Sequence, residues 1–227
     1  QANLTITGEA VIDGDVYLWA PENGATNGIA VSMKAECING TVVNALVDRA
    51  LVNVNGYYSL VEAVASVNGT NYESLEAAIA AAQEGETVVL LKDVELKEIL
   101  VINKSITLDG NNNTLTSKAG RAINVSGAVA ATIKDLTIEA SGERAINVIQ
   151  GASNVTISNV KATAANYAVN VAASAAGSTI EIENSDLTGL NTVNVAAANV
   201  NVRIDNSVVN NVDNTAVENY AALKLSI

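Results

Sequence analysis

From residue 87 onward, aliphatic and polar positions alternate in short runs that recur at a nearly fixed interval. One column of anchors is Leu108, Ile133, Ile157, Ile182, Ile204 and Leu225, spaced by 25, 24, 25, 22 and 21 residues. A second runs in step with it, through Ala122-Ile-Asn-Val125, Ala145-Ile-Asn-Val148, Ala168-Val-Asn-Val171, Thr192-Val-Asn-Val195 and Ala216-Val-Glu-Asn219. The central polar residues of these stretches, Asn124, Asn147, Asn170, Asn194 and Glu218, are 23, 23, 24 and 24 positions apart. A period in that range, held over five repeats, is the mark of a solenoid.

Two residues after the middle four anchors stand Asp135, Asn159, Asn184 and Asn206, with Gly110 in the same phase ahead of them. Asp, Asn and Gly tolerate left-handed backbone and make local turns, so each coil is expected to bend there. Around the anchors the alternation has period two, as in Val155-Thr-Ile157, Ile180-Glu-Ile182 and Val202-Arg-Ile204. That period predicts strands with one buried and one wet face and excludes an amphipathic helix. Residues 154–178 write out one coil: a strand 155–157, the turn at Asn159, a strand 160–162, a loop and a strand 168–171. The prediction is all-β: a right-handed parallel β-helix over 87–227, with three short strands and about 22–25 residues per coil.

The first 86 residues follow a different pattern. Leu4-Thr-Ile6, Ala10-Val-Ile12 and Val16-Tyr-Leu18 read as strands separated by Gly8 and Asp13-Gly-Asp15, and 42–43 with 50–54 continue in β style. Residues 1–56 are therefore expected to form a small β-rich region. Two similar segments follow, Tyr57-Tyr-Ser59-Leu-Val-Glu-Ala63-Val-Ala65 and Tyr72-Glu-Ser74-Leu-Glu-Ala-Ala78-Ile-Ala80. Each places Ser at an N-cap position before an apolar stripe, and Ser59-x-x-Glu62 matches a capping box. Two short helices are expected over 57–86, as linker and cap.

The leading segment Tyr72-Glu-Ser-Leu-Glu-Ala-Ala-Ile-Ala-Ala-Ala-Gln-Glu-Gly85, followed by Glu86-Thr-Val-Val-Leu-Leu91 and Lys104-Ser-Ile-Thr-Leu-Asp-Gly110, resembles the pectin-lyase-like family of right-handed parallel β-helices. In that family such a helix caps the open end of the core. In style the chain is similar to repeat-bearing bacterial surface proteins, and the resemblance covers residues 70–227. It implies a sheet on which family enzymes hold substrate, here the one built from the Ala-Ile-Asn-Val strands. Family lyases use Arg or Lys with calcium held by clustered carboxylates, and family hydrolases use Asp pairs beside a His-Gly motif. Neither set falls on that sheet, and the chain contains no His. No catalytic residue is assigned, and no cofactor.

With Ile123, Val125 and their equivalents inward, Asn124, Asn147, Asn170 and Asn194 are expected outward, flanked by Ala122, Ala145 and Ala168. Stacked amides can hydrogen-bond one another and hold register. The same strip, edged by Arg121 and Arg144, is also the candidate binding surface for a glycan or a host or cell-surface protein. On the neighbouring sheet Glu183 and Asp205 share a column, with Asp186 nearby, while Glu181 faces Arg203; Glu183, Asp205 and Asp186 are the candidates for a calcium site. Asp13-Gly-Asp15 and 109–113 read as turns, lacking EF-hand spacing. Trp19, the only Trp, is expected as a packing plug or a sugar platform.

Composition narrows the picture further. Phe is absent and aromatics make up 3% against 49% hydrophobic residues, as a narrow core of stacked aliphatics requires. The net charge of −12, from 24 acidic and 12 basic residues, argues against nucleic-acid binding, which needs a basic stripe. No run of 18 apolar residues exists, so no membrane span is expected. The single Cys37 permits no internal disulfide and reads as a small buried apolar side chain. The expected location is extracellular or at the cell surface, with any signal peptide removed or upstream. The functional expectation is a non-catalytic stalk or adhesion module, with a glycan-binding or polysaccharide-processing β-helix as the alternative.

Overall fold

The computed structural model describes residues 3–20, 29–212 and 223–225. It is mostly strand, with one short α-helix among the described residues, and forms a β-solenoid of about nine turns. The chain divides into two compact units, residues 1–80 and 81–227.

In the second unit the first column of anchors is a line of in-register parallel partners. Leu108 pairs with Ile133, Ile133 with Ile157, Ile157 with Ile182 and Ile182 with Ile204. Leu108, Ile133, Ile157 and Ile182 are fully buried, and sealing each such side chain contributes about 1.5–3 kcal/mol. The strands Ala130–Ala140 and Asn154–Ala164 bend in the middle, at Asp135 and Asn159. Those two residues, with Asn184 and Asn206, have φ of 50°, 53°, 50° and 45°, the left-handed conformation their side chains favour. Gly110 serves the same corner differently. A Cβ there would lie 2.5 Å from the Asp135 carbonyl oxygen, so glycine is required by close approach.

A second sheet stacks Leu100–Ile102, Arg121–Ser126, Arg144–Ile149, Tyr167–Val171, Val193–Val195 and Leu223–Leu225 in parallel. Its register aligns Asn124, Asn147, Asn170 and Asn194 with one another. The last coil departs from the expected repeat. Lys224 pairs with Asn194, and Leu225 with Val195, so Leu225 belongs to this sheet and not to the Ile204 column. The position expected to continue the Asn column, Glu218, lies outside the described residues.

The first unit contains parallel rungs of its own. Asn3–Ile6 pairs with Ala30–Lys34, Ile12 bridges Ile38, and Val16–Leu18 pairs with Val42–Asn44. Leu4 to Val31 is an offset of 27, Ile12 to Ile38 and Val16 to Val42 offsets of 26. Inside, Leu18, Val31, Met33 and Leu46 form a small core. The expected strands 4–6, 16–18, 42–43 and 50–54 are present, whereas the one expected at 10–12 is reduced to the single bridge at Ile12.

One of the two expected helices forms, Leu75–Ala81, where Ser74 Oγ accepts the Ala77 N–H at 3.0 Å. The other does not. Tyr57–Glu62 is a strand, antiparallel to Arg49–Val54. The cause is Asn55-Gly56, with φ of 53° and 83°: two residues of positive φ make a tight hairpin turn whose twist matches the flanking strands. The Ser59 to Glu62 spacing mimics a capping box inside that hairpin. Asn68-Gly69, at 49° and 79°, repeats the device between Ala65–Val67 and Thr70–Tyr72.

Candidate functional site

On the Asn strip, Leu100 and Ile102 are buried while Val101 between them is 45% exposed. Val101 pairs with Asn124, which places the whole Asn column on the face away from the aliphatic core. That face is nonetheless closed. Asn147 is 0% exposed, Asn170 3% and Asn124 8%, and only Asn194 is half-buried. The flanking Ala122, Ala145 and Ala168 are buried as well. The expected wet strip is thus corrected to a dry one.

The amides close it by bonding to one another. Asn147 Nδ2 donates to Asn124 Oδ1 at 2.8 Å, Asn170 Nδ2 to Asn147 Oδ1 at 2.7 Å, and Asn194 Nδ2 to Asn170 Oδ1 at 2.7 Å. Register makes this possible, because identical side chains one strand spacing apart meet donor to acceptor. Arg144 lies over the ladder, donating from Nη1 to Asn147 Oδ1 at 3.1 Å and from Nη2 to Glu143 at 3.0 Å. Its guanidinium sits 5.3 Å from the centroid of the Tyr167 ring, one rung on. Arg144 Nε is buried with no partner. Arg121 pairs in register with Arg144 and is half-buried.

The corner carries a second polar ladder. Asn159 Nδ2 donates to Asp135 Oδ1 at 2.6 Å, and Asn206 Nδ2 to Asn184 Oδ1 at 2.6 Å. Lys134 bridges Asp109 at 2.5 Å and Asp135 at 2.9 Å. Hydrogen bonds from Asn159 and from Lys134 hold the Asp135 carboxyl below its ordinary value. The bonds to Asp109 and Asp135 raise the Lys134 ammonium above its own. Beside this corner runs an open groove of about 220 Å³, lined in part by Asn112, Asp135, Asn159, Lys161, Asn184 and Asp186. The repeated Asn and Asp in phase with the anchors were its signal in the sequence.

The acids considered for calcium do not converge. Glu183 pairs with Asp205 across one rung, but Arg203 holds Asp205 at 2.9 Å, and Asp186 aligns with Lys161. Among the described residues no three His, Cys, Asp or Glu side chains gather as metal donors. Cys37 is buried, its Sγ 3.5 Å from the Gly8 carbonyl. Trp19 is no packing plug, being 69% exposed just past the strand Val16–Leu18, and Tyr17 within that strand is 58% exposed. A larger hollow of about 800 Å³ lies within the first unit, along Leu51, Val54, Val61, Tyr72 and Glu73.

None of the described helices is long and apolar enough to cross a membrane. Comparison with protein-family models finds no match, and comparisons with curated proteins and with solved structures find none either. The chain is a β-solenoid protein whose second unit is ruled by two asparagine-rich ladders.

Proposed function

We propose that this chain is a non-catalytic module of an extracellular or cell-surface bacterial protein, acting as a stalk or adhesion spacer. Its coils are right-handed, with three strands each, in the manner of pectin-lyase-like β-helices. The observation that carries this reading is the closed amide ladder. On the sheet where enzymes of that architecture hold substrate, Asn124, Asn147 and Asn170 are buried and linked amide to amide, with Arg144 bonded to Asn147 and Asn194 to Asn170. A surface so arranged stiffens the stack and turns its amides toward one another and not toward a sugar. The test is incubation of the purified chain with pectic and other uronic acid polymers. No unsaturated or reducing sugar should be released; release that is lost on mutating Arg144 or Asn194 overturns the reading.

A second reading, glycan binding, draws on Tyr17, in the strand Val16–Leu18, and Trp19 just after it, two exposed aromatics in a chain with 3% aromatics. Exposed rings at i and i+2 offer flat apolar faces for a saccharide. A glycan array separates the two readings: binding that disappears in Trp19→Ala supports the second.

A further inference from the structure

The amide ladder has a direction, and Arg144 fixes it. An arginine side chain only donates, so Asn147 must present Oδ1 to the Arg144 Nη1 at 3.1 Å and turn its amide nitrogen the other way. Every link then runs alike, each Nδ2 donating to the Oδ1 of the preceding rung, from Asn194 to Asn170, Asn170 to Asn147 and Asn147 to Asn124. Bonds in such a chain polarise and strengthen one another. The ladder therefore has an acceptor end at Asn194 and a donor end at Asn124.

The donor end is left open. In the rung before it, the in-register partner of Asn124 is Val101, which has no side-chain oxygen to offer. Asn124 is only 8% exposed, and its Oδ1 accepts the Asn147 amide, but its Nδ2 donates to no described residue. Nor is that nitrogen sealed: among the described residues the buried side-chain atoms without a partner are Arg49 Nε, Arg144 Nε and Asn191 Oδ1. The free N–H thus faces out of the ladder on the side of Val101, itself 45% exposed.

A second uncommitted donor stands beside it. Arg121 pairs in register with Arg144 and precedes Asn124 by the same spacing as Arg144 precedes Asn147. Arg144 uses that spacing to bond Asn147 and is balanced by Glu143. Arg121, half-buried, does neither among the described residues. Glu98, which the register of Leu100 on Ile123 carries opposite Arg121, is exposed and makes no ion pair with it. Like charges one rung apart repel, and here only one of the two is compensated.

We propose that the donor end of the ladder binds a carboxylate carried on a short aliphatic stem. The guanidinium fork of Arg121 takes the two carboxylate oxygens, one of which also accepts the Asn124 Nδ2, and the Val101 side chain receives the stem. A carboxylate there closes the amide chain with an acceptor and offsets the Arg121 charge. Sulfate or phosphate would meet the same donors and leave Val101 unused. The site makes no use of the sealed middle of the ladder, so its failure would leave the stalk reading standing.

Titration of the isotope-labelled protein with butyrate, followed in amide spectra and by calorimetry, tests it. The Asn124 side-chain amide signal should move with saturation. Arg121→Gln should weaken butyrate by about tenfold or more, as loss of a charge-assisted bond requires, and Arg121→Lys should fall between, keeping the charge without the fork. Wild type should prefer butyrate over acetate and over sulfate, and Val101→Ser, at an exposed position, should remove that preference. Circular dichroism checks that each variant keeps its strands. A saturable shift at Asn124 that is absent, binding equal in wild type and Arg121→Gln, or equal affinity for butyrate, acetate and sulfate in wild type overturns the proposal.

Discussion

The Asn124–Asn194 ladder and the Asp135–Asn206 corner are built from the same side chain at the same repeat, yet they do different work. Asn147 is fully buried and makes bonds to three neighbours, Asn124, Asn170 and Arg144. Asn159 sits at a left-handed corner with φ of 53° and bonds across one rung to Asp135 in partly wet surroundings. In the first, the side chain is needed for its two-ended hydrogen bonding and nothing else replaces it. In the second, what matters first is the backbone conformation that Asn tolerates. Repetition of a residue type in a solenoid therefore says that a position is special without saying which property makes it so.

The comparison breaks most violently where the core itself is charged. Ile157→Asp puts a carboxylate into a column of fully buried aliphatics, and should cost about 4 kcal/mol or more, seen as loss of the folded baseline at ordinary temperature. Next comes Asn147→Ala. It strands the Asn124 oxygen, the Asn170 amide and one Arg144 donor in a dry site, at about 2–4 kcal/mol by urea denaturation. Asn147→Gly should be no better. Asn159→Ala should cost about 1–2 kcal/mol, from left-handed strain and one lost bond. Here Asn159→Gly should recover part of the loss, because glycine accepts positive φ freely. If glycine rescues position 147 as well as 159, or neither, the two ladders are not different in kind.

These contrasts also define what could be read from the sequence. The Leu108-to-Ile204 anchors and the corner residues were legible because period, alternation and turn chemistry point to one architecture. The facing of Asn147 was legible too, since Ile146 and Val148 must go inward. Its dryness was not: alternation tells which face a residue is on, and cannot tell that amides in register will bond to one another beneath an arginine from the same strand. The helix expected over Tyr57–Glu62 rests on the Ser59 to Glu62 spacing alone, and Asn55-Gly56, a two-residue turn left out of that reading, is the stronger local constraint. The parallel rungs at 3–44 have offsets of 26 and 27 but only two turns to compare, and no shared motif, so no period could emerge. The final coil, where Lys224 takes the place expected for Glu218, lengthens the repeat without any mark at the positions that pair.

The smallest expected difference is in pH dependence, and it separates the ladders most cleanly. The links joining Asn124, Asn147, Asn170 and Asn194 are amide to amide, so their contribution should be flat across pH. The corner has Asp135 and Lys134. Asp135 is held below its ordinary pKa, so the unfolded chain binds the proton more readily than the folded one. Its contribution is complete above the unfolded pKa and is lost as pH falls through the folded value, below about pH 4. Lys134 is raised, so its contribution is complete below the unfolded lysine pKa and fades as pH rises through the folded value, in the strongly alkaline range. Both groups are partly exposed, which screens the effect and keeps it modest. Melting temperature measured from acid to neutral pH should therefore show an acid loss that shrinks in Asp135→Asn, which keeps an oxygen to accept the Asn159 bond and removes the titration. The same variant should leave the cost of Asn147→Ala unchanged at every pH. An acid limb that is identical in wild type and Asp135→Asn would remove the corner's electrostatic role and leave its backbone conformation as the only difference between the two ladders.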